Sequence, residues 1–115
     1  MVTKKVINIP IFRLKLKIVV ADDIKEALEI DTNINTGADS LVIDHNNGTA
    51  TVIIASNDMS IIAHECLHVK NAVWNRIGYS PNPLNDEVDA YLLDYIMAEV
   101  LKVVEKHTNK TLLKI

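Results

Sequence analysis

The chain is poor in the residues that staple or interrupt a fold: one cysteine, three glycines, three prolines, one phenylalanine and one tryptophan among 115 residues. A lone cysteine, Cys66, cannot close an internal disulfide, which fits a reducing, cytoplasmic compartment. Stability must then come from an apolar core. Also missing is any run of Lys and Arg interleaved with aromatics, and the net charge is -3. Phosphate contacts need clustered cations, so no nucleic-acid partner is expected. No apolar stretch reaches the roughly 20 residues of a membrane span, so no membrane partner is expected either. The opening "MVTKKVINIPIFRLKLKIVV" looks like a charged leader before an apolar run, but Arg13, Lys15 and Lys17 break that run at every second residue. It is not expected to be a signal peptide.

What is present is a globular composition, 49% hydrophobic and 23% charged, of a length that suits a single domain over 1–115. From Phe12 to Ile18 apolar and cationic residues alternate, predicting a half-buried strand, with Pro10 marking an edge or a bend before it. "DDIKEALEI" has helical spacing, with Asp22 or Asp23 as cap, and the polar stretch 31–39 reads as a loop. "SLVID" and "TVIIA" flank Asn47-Gly48, a tight-hairpin signal.

A helix is predicted from about Met59 to Ile77, capped by Ser56, Asn57 or Asp58 and stopped by Gly78. A second long helix should follow from Asn82-Pro83 to about His107, and the tail "TNKTLLKI" could pack on the sheet or on another subunit. The expected class is α+β: an N-terminal antiparallel sheet with a β-hairpin, then two long helices.

Within the first long helix lies "HECLH". Residues four apart share a helix face, so His64 and His68 can present their imidazoles to one point, the spacing a tetrahedral metal needs. Glu65 is rotated by about 100° from His64, beside a metal rather than on it, where a carboxylate can hold an activated water. With four His and six Glu in the chain, a chance His-Glu-x-x-His has an expectation of roughly 0.007, which makes the motif by itself moderately specific. Apolar neighbours such as Ile62, Leu67, Val69 and Trp74 suggest that the polar trio is buried, and zinc would satisfy both imidazoles together.

The likeliest third ligand is Glu87 on the second helix. A five-residue connection spans up to about 16 Å, enough to bring Glu87 level with His68. Tyr91 and Asp94 share the Glu87 face. Asp94 is a candidate for bonding the far nitrogen of a histidine ligand, and Tyr91 can either donate to an oxyanion or simply bond Glu87. Asp89 falls on another face and reads as solvated. Cys66, Trp74 and Tyr95 read as core residues, His45 as a solvated residue beside the turn, and His107 as solvated or bound to the helix dipole.

"HECLH" followed by "NDEVDAY" resembles the gluzincin zinc metallopeptidases, above all the single-domain minigluzincins, over roughly residues 57–100. It is also similar to small uncharacterised proteins of tailed bacteriophages. The resemblance implies a small zincin-like domain with His64, His68 and Glu87 as zinc ligands and Glu65 as general base. Many gluzincins have an orienting aspartate four residues after the glutamate ligand, where this chain has Tyr91. The implied activity is hydrolysis of a peptide or protein substrate by a metal-activated water, with "TVIIA" as an edge strand that pairs with the substrate. The alternatives are an inactive zinc-stabilised binding or structural module, for instance within a phage virion or another oligomeric assembly, and a metal-free interaction domain.

Overall fold

In "LKLKIVVA" the alternating apolar residues Leu14, Leu16, Ile18 and Val20 are each at most 2% exposed. The alternation lapses after Lys17 because Val19 and Ala21 are buried on the opposite face as well. A strand covered on both faces lies inside a sheet, and the computed structural model, which describes residues 1–31 and 39–109, has it there. The elements are β1 (Val2–Ile9), β2 (Leu14–Ala21), α1 (Ile24–Asp31), β3 (Ser40–Asp44), β4 (Thr49–Ile54), α2 (Met59–Ile77) and α3 (Glu87–Thr108). The sheet order is β1-β2-β4-β3, with β1 antiparallel to β2, β2 parallel to β4, and β4 antiparallel to β3.

The expected α+β class is observed, but the sheet is mixed rather than wholly antiparallel. Two further expectations are corrected. The strand predicted to start at Phe12 starts at Leu14, because Pro10 to Arg13 form the bend between β1 and β2, with Ile11 and Arg13 at φ 74 and 56°. The bend expected at Pro10 is there, and the edge strand beside it is β1. "TVIIA" is not an edge. It lies in β4, between β2 and β3, and its continuous apolar run is that of a doubly covered strand. Among the described residues the edge strand on this side is β3.

The hairpin forms where Asn47-Gly48 predicted it, with positive φ at Asn46 and Gly48 rather than at both predicted residues. A Cβ on Gly48 would stand 3.1 Å from the Arg76 Nη2 atom of α2, so this turn is closely approached as well as left-handed. Most of the loop predicted at 31–39 and the tail from residue 110 lie outside the described residues.

α2 has the predicted bounds. The Asp58 carboxylate accepts from the Ser60 amide at 2.9 Å, and Gly78 closes the helix at φ 72°. α3 starts four residues later than predicted. Asn82 does not cap it: its side chain accepts from the Leu84 amide at 2.9 Å, building a tight turn instead. One face of the sheet packs on α2 and α3 through Leu16, Ile18, Val52, Ile62, Val69, Ile96 and Val100, all inaccessible. The other face packs Val19 and Ile53 on Ala27 and Leu28 of α1.

α2 and α3 are joined by a polar clamp. Asp89 accepts from Lys70 Nζ at 2.7 Å and from Trp74 Nε1 at 2.6 Å. Asp89 was expected in solvent, but the Lys70 side chain is only 7% exposed and its charge needs a counter-ion. At the far end of α3, His107 is likewise not solvated. Its side chain is 3% exposed, with Nε2 2.7 Å from Asp22 Oδ1 and Nδ1 2.8 Å from Thr3 Oγ1. Asp22 thereby serves His107, while Asp23 caps α1 by accepting from the Lys25 amide.

The Lys70 hydrogen bond, aided by Trp74, holds the Asp89 carboxyl below its ordinary value of 3.8, against the effect of burial. A depressed folded pKa means stability that is present above the ordinary value and lost as pH falls through the folded one. Asp89→Ala should therefore cost about 2 kcal/mol at neutral pH. Urea denaturation across a pH series should show the gap to wild type narrowing as the solution is acidified below the ordinary carboxylate value.

Candidate metal centre

At about 100° per residue, His64, His68, Asn71 and Asn75 fall in one stripe on α2 about 60° wide. Ile62, Cys66, Val69 and Val73 are centred on the opposite side and fully buried against the sheet. The predicted burial of the trio is thus corrected. His64 and His68 are exposed, and only Glu65, on the boundary between the two faces, is buried, at 6% exposure.

The imidazoles converge. His64 Nε2 and His68 Nε2 are 3.2 Å apart, with the rings edge to face at 77°. Two nitrogens bound to one tetrahedral zinc at 2.0–2.1 Å would be about 3.3 Å apart, so the separation of this pair is compatible with a shared ion as well as with a hydrogen bond between the rings. Their donor atoms and the Glu65 carboxylate all lie within 4.8 Å of one another. Imidazole nitrogen suits zinc, and the residues present fit it.

The trio opens on a cavity of about 460 Å³ whose second wall is β3, through Leu41, Val42 and Asp44. Asn71 and Asn75 extend it along α2. The sequence reading missed these flanking residues. The asparagines carry a legible signal, seven and eleven positions after His64 on the same helical face, but the β3 wall depends on strand order.

Glu87, Tyr91 and Asp94 are not among the groups gathered there. Glu87 is exposed at the first position of α3 and lies outside the trio. Tyr91, 67% exposed, lines a separate apolar cavity of about 320 Å³ with Phe12, Trp74 and Tyr95. Asp94 is exposed and hydrogen-bonds to neither histidine.

The Asp89 clamp ties the first turn of α3 to Lys70 and Trp74 of α2. Lys70 is about 200° around α2 from His68, so α3 docks on a different side of the helix from the metal-ready face.

The remaining candidates behave as side chains of the fold. Cys66 is inaccessible, and burial, with a smaller effect from Glu65, pushes its thiol up to about 12. His45 Nε2 lies 3.0 Å from Thr51 Oγ1 rather than at the metal-ready trio. No family model, no curated protein and no solved structure matches the chain.

Two outcomes follow from this placement. His68→Ala should lower zinc affinity by more than the roughly 10–100-fold typical of losing a partner outside the ligand set, whereas Glu87→Ala should leave it nearly unchanged, as read by competitive titration. Cys66 should resist iodoacetamide at pH 8 in the folded protein and react once the chain is unfolded in urea.

Proposed function

We propose that the chain is a zinc-dependent peptidase in which His64 and His68 hold the metal and Glu65 is the general base. The observation that carries this reading is the 3.2 Å approach of the two Nε2 atoms beside a buried carboxylate. Zinc bound there would lower the pKa of a water towards about 7 and polarise a carbonyl oxygen. Glu65 takes the proton from the attacking water and delivers it to the departing amine, so the carboxylate ends the cycle as it began. Its burial keeps it beside the metal-ready pair rather than in bulk water.

The substrate lies between α2 and β3. β3 is a sheet edge, and its outer backbone groups can pair with an extended peptide, which selects shape over side-chain identity. Tyr91 takes no part, because it lines the separate apolar cavity, and Asp94 is given no role, because it bonds to neither histidine. His64 and His68 would hold the metal, which would supply the activated water.

A second reading is a metal-binding module without turnover, including a component of a phage virion. The separation of Glu87 from the histidines favours it, because two protein ligands hold a metal less firmly than three. Against a purely zinc-stabilised fold stands the exposure of both histidines.

The deciding experiment compares wild type with Glu65→Gln, both loaded with zinc, on a peptide library read by mass spectrometry. The peptidase reading expects Glu65→Gln to keep its zinc and lose about 100- to 10,000-fold in rate. Cleavage by neither protein would favour the module. Equal cleavage by both would remove Glu65 from the mechanism.

A further inference from the structure

Lysines from the two ends of the chain meet in one place. On β1, Thr3 and Lys5 stand opposite Val20 and Ile18 of β2, which puts them on the face of the sheet that α3 covers. On α3, Lys102 and Lys106 are one turn apart on a shared face. Together with Lys4, and with the buried Val103 between strand and helix, they line a cavity of about 300 Å³.

We propose that this cavity binds a small multivalent oxyanion of the phosphate type. The chain as a whole carries a charge of -3, so a concavity that brings Lys5 of β1 together with Lys102 and Lys106 of α3 does not follow from composition; Lys4, opposite Val19, belongs to the other face of the sheet. Glu99 lies 3.3 Å from Lys102 and offsets part of its charge, but Lys5 and Lys106 form no ion pair with any described residue. Cationic side chains lining one space repel each other, and a bound anion offsets that repulsion.

Single-residue explanations fall short. Lysines on an edge strand guard it against pairing with other chains, and lysines late in a helix complement its dipole. Neither accounts for the two sets lining the same cavity. The Thr3 hydroxyl is held by His107 Nδ1 at 2.8 Å, so the polar part of the lining is positioned as well. The cavity lies at the β1 edge of the sheet and the histidines lie beside the opposite edge, β3. The two proposals therefore stand or fall separately.

The test is a titration of the isotope-labelled full chain with inorganic pyrophosphate at low ionic strength, followed by amide chemical shifts. Saturable shifts are expected at Thr3, Lys5, Lys102 and Lys106, with tighter binding of pyrophosphate than of inorganic phosphate. Lys5→Gln and Lys106→Gln should each weaken binding by up to about fivefold, and His68→Ala should not change it. A nucleoside diphosphate binding as pyrophosphate does would point to the free oxyanion, and tighter binding to a larger phosphorylated ligand; both support the site. Absence of saturation by about 10 mM, or saturation that ignores the Lys5→Gln/Lys106→Gln pair, would overturn it.

Discussion

The geometry of the candidate metal centre follows from how α2 is rotated about its own axis. Ile62, Cys66, Val69 and Val73 seat one side on the sheet, and Lys70 with Trp74 fastens an adjoining side to Asp89 of α3. The side left over carries His64, His68, Asn71 and Asn75 and faces the β3 edge. Apolar contact alone lets helices slide and roll by a few degrees. A carboxylate that accepts from an ammonium and an indole at once fixes both the rotation and the level of α3.

That clamp also marks where reading from sequence ran out. The bounds of α2, its Asp58 cap and Gly78 stop, and the hairpin around Asn47-Gly48 are local events, set by residues within one turn of each other. The convergence of His64 and His68 is equally local, a property of four residues of helix. Glu87 is different, because its position depends on which side of α2 the next helix docks. The Lys70–Asp89 pair decides that, yet in the sequence Lys70 reads as an ordinary surface lysine. The same limit hid the lysine cavity. No window of the sequence is densely basic, and the cationic surface exists only once α3 lies over β1.

Strand order was the other non-local fact. A run such as "TVIIA" suits either an edge pressed on a helix or an interior strand covered twice, and the composition of the run favours the interior. Placing β4 between β2 and β3 moves the available edge one strand outward, to the element that lines the histidine cavity. The correction leaves the peptide-pairing idea intact but transfers it to Ser40–Asp44. Those five residues have intermediate exposure, apart from Ser40, as befits a strand with one side unpaired.

The exposure of the two histidines bears on what a metal would do here. In a structural zinc site the ligands are enclosed, the ion is saturated by the protein, and folding depends on it. In this chain the core is assembled from the sheet and three helices without help from the His64 face. Exposed imidazoles can hydrate or bond each other when no ion is bound, so the unloaded state leaves neither histidine as a buried, unpaired group. An ion added there would contribute little to the packing already made, while its open positions would face a cavity of about 460 Å³. On the proposed reading, a metal held there would be one the apolar core does not depend on, and it would stand beside a carboxylate at the mouth of a cavity, an arrangement suited to chemistry rather than to folding.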